Sequence, residues 1–264
     1  MNHVPLSWTA LVLAGQRPGV DPVAAQFGLQ AKALVPVAGQ LMLGRVLMAL
    51  ADTPQIARII VLAQNAPELM AHPELAWAAA EPRITARVSG TTISGSVLDA
   101  VNDPAIGLPV LVTTADNVML TPETVAQFIA GSGATDVSVA MVERGRLEAA
   151  VGPNRRTWLT FRGGAYTGAN LFALTAPDAA NALRFWEKVE QDRKSVLRLA
   201  AHFGPALMVR LLLRRMTVQE ALAAAGAKLG ASAAPVLLSD GRMGVDVDKP
   251  EDHALAERLL AAQA

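Results

Sequence analysis

The chain has 264 residues, enough to bury a substantial core, and 52% of them are hydrophobic against 17% charged, a globular composition rather than a disordered one. Lysine plus arginine equals aspartate plus glutamate at 23 each, so no global field favours nucleic acid or an anionic membrane surface, and a phosphorylated substrate has to be met by a local cluster of cations. Cysteine is absent, which excludes disulfides, thiolate catalysis and cysteine-ligated zinc and agrees with the cytoplasmic setting expected for this chain.

The first apolar stretch, from Trp8 to Ala14, has neither a basic leader before it nor a small-residue cleavage pattern after it, and it reads as a strand. Short apolar runs at 10–14, 59–63, 84–88 and 110–114 follow one another as continuous, β-branched segments suited to a sheet covered on both faces. Helical patterns fill the spaces between them at 41–51, 67–80 and 95–101, the last with Ser94 as its cap. Thr121 and Pro122 sit at the N-cap and first position of a helix over 122–130, and a fifth strand is expected at 136–142.

After Arg144 the pattern changes to turns rich in glycine and arginine, with short strands at 157–161 and 170–174 and helices within 179–225. A strand at 235–238, a turn at Asp240-Gly241 and a closing helix finish the chain. No uninterrupted apolar run reaches about 18 residues, and the most apolar late helix contains Arg210, so no transmembrane segment is expected. Alternating strands and helices predict repeated βαβ units, a mostly parallel sheet and an α/β fold organised as one domain over residues 1–264.

In an open parallel sheet ligands bind beyond the carboxyl ends of the strands. Gly15, in Leu13-Ala14-Gly15-Gln16-Arg17, follows the first strand and allows backbone amides to approach an anion; Arg17 and Lys32 are the cations available to neutralise phosphate oxygens. A glycine after a strand is most often a simple turn, and this loop is neither a Walker A motif nor a three-glycine dinucleotide fingerprint. Asp116 follows the run 110–114, where a carboxylate either holds a divalent metal on a triphosphate or caps a turn. Asp246 and Asp248, two apart in extended chain, point to one side; either completes a metal site, or Asp248 caps the closing helix.

Taken in order, these segments resemble a known family: the nucleotidyltransferases typified by molybdenum-cofactor guanylyltransferases and sugar-phosphate nucleotidylyltransferases. Leu13-Ala14-Gly15 leading to Lys32-Ala33-Leu34-Val35-Pro36-Val37-Ala38-Gly39 is similar to the loop and lysine that contact the triphosphate. Ser89-Gly90-Thr91-Thr92 with Ser96 is similar to the segment that reads the base, Ala115-Asp116 to the metal-binding aspartate, and Asp246-Val247-Asp248-Lys249-Pro250-Glu251-Asp252 to the C-terminal acidic segment. Two departures stand out: Gln16 replaces a second glycine, and the path to the lysine is lengthened through Asp21-Pro22 and residues 24–30.

The resemblance implies a three-layer α/β/α, Rossmann-like fold of the glycosyltransferase-A type, with a nucleotide-binding half at 1–143 and an acceptor-binding half at 144–264. It implies transfer of a nucleoside monophosphate from a nucleoside triphosphate, CTP or GTP, to a phosphorylated small molecule such as a sugar, polyol or cofactor-precursor phosphate, releasing pyrophosphate. Arg17, Lys32 and Asp116 carry over as catalytic residues and Leu13, Ala14, Gly15, Gly90, Thr91 and Ser96 as nucleotide-binding ones. Gly168, Asn170 and Lys194 carry over to the acceptor, within the stretches from Tyr166 to Asn170 and Arg193 to Lys194. Asp116 with Asp246 or Asp248 would hold Mg²⁺ or Mn²⁺. Two alternatives stand beside this reading: a nucleotide-sugar glycosyltransferase, against which the absence of an Asp-x-Asp at Asp116-Asn117-Val118 counts, and a non-catalytic nucleotide-binding homologue, against which Lys32 and Asp116 count.

Overall fold

The computed structural model describes residues 7–16, 19–90, 92–154, 156–191 and 203–262. In chain order the elements are β1 (Trp8–Leu13), α1 (Pro22–Gln26), β2 (Pro36–Val37), β3 (Gln40–Leu41), α2 (Met42–Ala51), β4 (Ile56–Ala63), α3 (Ala66–Met70), α4 (Ala76–Ala80), β5 (Ile84–Val88), α5 (Ile93–Asn102) and β6 (Val110–Thr114). The chain continues through α6 (Pro122–Gly131), β7 (Val137–Glu143), α7 (Arg144–Val151), β8 (Leu159–Phe161), β9 (Gly164–Leu174), α8 (Ala179–Gln191), α9 (Pro205–Leu212), α10 (Val218–Leu229), β10 (Ala233–Leu237) and α11 (Pro250–Ala261).

An eight-stranded sheet runs in the order β10-β7-β9-β6-β1-β4-β5, with β8 paired to β9. β1 is parallel to both β4 and β6, β4 to β5, and β7 to β10; β9 is antiparallel to β6 and β7. The sheet is therefore mostly parallel, and the chain winds from β1 through β4 to β5 before returning to the other side of β1 as β6. That reversal leaves a crevice at the carboxyl ends of β1 and β6, where ligands of doubly wound sheets bind.

Alternation along β1 divides the core into two layers. Ala10 and Val12 join a cluster with Met42, Val46, Leu47 and Leu50 of α2 and Phe128 of α6. Leu11 faces the opposite way, into a cluster with Val97 and Ala100 of α5 and Leu174 of β9. In α2 the fully buried positions Leu43, Val46, Leu47 and Leu50 recur at the spacing of one helix face. Each such side chain stabilises the fold by about 1.5–3 kcal/mol relative to exposure.

Four expectations from the sequence are corrected. The helix expected over 67–80 is broken into α3, a 3₁₀ turn at Pro73–Leu75 and α4, because Pro73 holds His72 in an extended conformation. Thr92, not Ser94, caps α5: its extended backbone lets the hydroxyl accept from the Gly95 amide, and the helix starts two residues earlier than expected. β5 is an edge strand paired only with β4, so most of it is exposed, Val88 included. The strand expected at 170–174 extends back to Gly164 because it pairs with β6, β7 and β8. Residues 192–202, part of the expected helical region 179–225, lie outside the described residues.

Candidate active site

The crevice at the ends of β1 and β6 is a cleft of about 870 Å³. Leu13, Ala14, Gly15, Lys32, Gly90, Ser96, Asp116 and Asp248 all line it, although they come from six separate stretches of chain. Arg17, Thr91, Arg193 and Lys194 lie outside the described residues. Gly168 and Asn170 sit on β9 and do not line the cleft; Asp246, outside any strand or helix, does not line it either.

The loop after β1 is shaped by amides. Gln64, directly after β4, accepts from the Gln16 backbone N–H at 3.0 Å through its Oε1 and donates from Nε2 to the Gln16 carbonyl at 3.3 Å. The Gln16 side chain in turn donates to the Gln30 carbonyl, closing the two ends of the loop on each other. Gly15 is needed for this approach: a Cβ there would lie 2.8 Å from Gln64 Oε1. The extra length is folded, since Asp21 caps α1 by accepting from the amides of Val23 and Ala24.

Lys32 opens a 3₁₀ turn that leads into β2, a tight Ala38-Gly39 turn with positive φ at both residues, and β3. The closing helix holds this hairpin from outside: Glu257 accepts from the Ala38 amide at 2.8 Å and His253 Nε2 meets the Pro36 carbonyl at 2.8 Å. α11 thereby fixes Lys32 and, at its own N-terminal side, Asp248 relative to one another.

The Lys32 ammonium lies between two carboxylates, 2.5 Å from Asp116 Oδ2 and 3.0 Å from Asp248 Oδ1. Thr114 donates to the other oxygen of Asp116 at 2.5 Å. Burial works against the charge on Lys32, but the attraction of Asp116 and Asp248 and their hydrogen bonds outweigh it and hold the lysine above its ordinary pKa. Asp116 is largely enclosed, whereas the Asp248 side chain is 62% exposed and faces the open cleft.

Asp246 and Asp248 flank the buried Val247, whose amide donates to the Asp116 carbonyl at 3.3 Å. The two carboxylates have different partners. Asp246 accepts from Arg156 at 2.6 Å on one oxygen and from Asn170 Nδ2 at 3.2 Å on the other. The capping role considered for Asp248 falls to Asp252, which accepts from the amides of Asp248 and Lys249. After β5, the Gly90 amide donates to Ser96 Oγ at 3.0 Å, tying this segment to the first turn of α5.

Sequence reasoning missed Gln64, Thr114 and Arg156. Gln64 follows β4 and is reachable by the same strand-end rule that points to Gly15 and Asp116; Arg156 lies in an irregular stretch where only the density of arginines gives a signal. Tyr166, within the stretch assigned to the acceptor, packs beside Met141 and Val218.

A cleft at the switch point of a mostly parallel sheet, with a lysine and two carboxylates converging in it, is a ligand-binding position with the charges to meet an anion or a cation. The chain belongs to the MobA-like NTP transferase domain family, whose model matches residues 10–239, and it is a nucleotidyltransferase. It is similar to a hypothetical transferase from Thermus thermophilus, at 29% identity and a TM-score of 0.75 over 94% of this chain and 99% of that one. It shares its fold with 4-diphosphocytidyl-2C-methyl-D-erythritol synthase from Anaerococcus prevotii, 13% identical, TM-score 0.58, over 97% of this chain and 96% of that one. It also shares it with a CMP:2-keto-3-deoxy-manno-octonic acid synthetase complexed with CTP, 14% identical, TM-score 0.54, over 98% and 99%. No curated protein sequence matches the chain significantly. No helix among the described residues is long and apolar enough to cross a membrane.

Proposed function

We propose that this enzyme transfers the nucleoside monophosphate of CTP or GTP to a phosphorylated small molecule, a sugar, polyol or cofactor-precursor phosphate, and releases pyrophosphate. The observation that carries the reading is the grip of Asp116 and Asp248 on the Lys32 ammonium at the floor of the cleft. An acceptor phosphate oxygen attacks the α-phosphorus in line; the bond from that phosphorus to the bridging oxygen breaks, and pyrophosphate leaves with the electron pair. The nucleophile is already an anion, so the protein's contribution is alignment and charge neutralisation. Lys32, with Arg17, offsets charge on the triphosphate, and Leu13, Ala14, Gly15, Gly90, Thr91 and Ser96 hold the nucleotide.

Two carboxylates converging on one ammonium form a pocket already suited to a cation, and their hard oxygen donors suit Mg²⁺ or Mn²⁺. Among the described residues no group of three or more histidine or acidic side chains could hold a metal by itself. Two carboxylates plus substrate phosphates is the usual ligand set for Mg²⁺ on a nucleotide. Asp116 and Asp248 are the residues that would hold it, and bound there it supplies positive charge to the phosphate oxygens. Asp246 is the poorer candidate because it does not line the cleft and is paired with Arg156, whereas Asp116 and Asp248 both line it and share the Lys32 ammonium.

The acceptor falls to the second half of a single domain, at Gly168, Asn170 and Lys194; Gly168 is exposed, with open space where a side chain would project. Measuring pyrophosphate release from each of four nucleoside triphosphates against a panel of phosphomonoesters tests the proposal. Turnover confined to CTP or GTP with one phosphomonoester class supports it. Turnover of a nucleotide-sugar with no pyrophosphate formed replaces it with glycosyl transfer.

A further inference from the structure

The segment carrying Asp248 belongs to no strand or helix, yet its carboxylate has to meet Asp116 across 132 positions of sequence with the accuracy a shared cation demands. It is held by the buried Val245 and Val247, by the 3.3 Å bond from Val247 to the Asp116 carbonyl, and by the partners of Asp246, Asp248 and Asp252. Arg156 bonds one Asp246 oxygen at 2.6 Å, reaches the Asp246 carbonyl at 3.3 Å and extends to Asp252 at 3.5 Å. Asp252 is the residue that caps the amides of Asp248 and Lys249. One guanidinium thus grips the chain on both sides of Asp248.

Asn170 completes the grip. It lies on β9 with φ of 48°, a left-handed conformation uncommon for a residue with a side chain, next to the point where the β7–β9 register shifts. There its Nδ2 meets the second Asp246 oxygen at 3.2 Å. The Arg156 side chain is 15% exposed and Asp246 28%, so water competes little for the pair.

We infer that Arg156 is a positioning residue: by clamping Asp246 and Asp252 it holds Asp248 opposite Asp116 and so sets the affinity of the site for its divalent cation, without touching the cation or the nucleotide. The inference rests on the proposed function, since it assigns Asp248 and Asp116 to the metal. A planar, two-point donor is required, which a lysine cannot reproduce. The alternative, that Asp246 is itself a cation ligand which Arg156 merely shields, predicts the opposite sign for loss of the arginine.

The test is Mn²⁺ binding to the full chain with a saturating non-hydrolysable CTP or GTP analogue, followed by the electron paramagnetic resonance signal of enzyme-bound Mn²⁺, with the analogue alone as the reference for the Mn²⁺ it chelates itself. Asp116→Asn, Asp248→Asn, Arg156→Met and Arg156→Lys are compared, with circular dichroism reporting folding. The two aspartate variants lose Mn²⁺ binding; if they bind it like the parent, the metal assignment falls and the clamp falls with it. With that established, Arg156→Met weakens Mn²⁺ by about tenfold or more, the scale of lost outer-sphere support, and Arg156→Lys recovers only part. An Arg156→Met protein that binds Mn²⁺ as well as the parent, or more tightly, overturns the clamp while leaving the proposed function standing. Should Arg156→Met not fold, Arg156→Lys carries the same test, and parental affinity there is the overturning result.

Discussion

Lys32 is the residue on which the cleft's electrostatics turn, because its ammonium satisfies two carboxylates that otherwise repel each other. Replacing it with alanine is expected to lower turnover on the order of 10²-fold, the scale of one lost donor at a reacting centre; unchanged kinetics in a pyrophosphate-release assay would remove it from the triphosphate. The same ion pairs give a pH dependence with a definite sign. The folded state raises the lysine above its ordinary pKa, so folding favours the charged form. The stabilisation is therefore complete below the unfolded value of about 10.4 and lost as pH rises through the folded one. In thermal melts, the stability difference between the parent and Lys32→Met should hold constant from pH 7 to about 9.5 and change only above that. A difference that already changes between pH 6 and 8 would show that another group dominates.

Asp116 was legible in the sequence because it follows a recognisable strand, and Lys32 because it is a cation in a stretch that resembles a known loop and lysine. Arg156 was not, since its importance comes from a partner 90 positions away and its own segment has no period to read. Nor could the sequence separate Asp246 from Asp248. Both flank a buried valine, and only the arrival of Arg156 and Asn170 on one and Lys32 on the other tells them apart.

At the scale of elements, periodicity located the parallel strands well, since buried runs such as β1 and β6 carry few residues that fit any other structure. It failed where a single residue overrides a pattern. Pro73 splits an alanine-rich stretch that reads as one helix, and β9 owes its eleven residues to partners on both sides more than to its own glycine-containing sequence. Close packing between elements also leaves marks that sequence alone does not reveal. Gly241, at the turn from β10 toward the acidic segment, sits so near α7 that a Cβ would come within 2.1 Å of the Arg146 carbonyl oxygen. Backbone cannot rotate aside as a side chain can, so Gly241→Ala is expected to cost about 1–3 kcal/mol, the range for overpacking. Urea unfolding measures it; a midpoint equal to the parent's would mean that α7 shifts freely. Because the displaced turn feeds the Asp248 segment, the same variant should also lose activity.

For the whole molecule the governing fact is charge balance. The chain carries as many acidic as basic residues, and the cation at the floor of its cleft is already paired with two carboxylates. The triphosphate and phosphomonoester of the proposed reaction are both anions, and a partly buried site screens their repulsion far less than water does. Lys32 cannot neutralise them while it also neutralises Asp116 and Asp248. Under the proposed function Asp116 and Asp248 would therefore hold a divalent cation, which would supply the missing positive charge beside Lys32. The two carboxylates lie 84 and 216 positions from Lys32 along the chain, so the fold as a whole, by converging strand ends and by α11, is what brings them together. Asp116→Asn keeps the side-chain volume and removes the charge. It should leave the circular dichroism spectrum intact while nucleotidyl transfer falls by about two orders of magnitude or more, and excess chelator should abolish turnover in the parent. Full activity in chelator, or an Asp116→Asn enzyme as fast as the parent, would mean that Lys32 and Arg17 suffice to hold the two anions together.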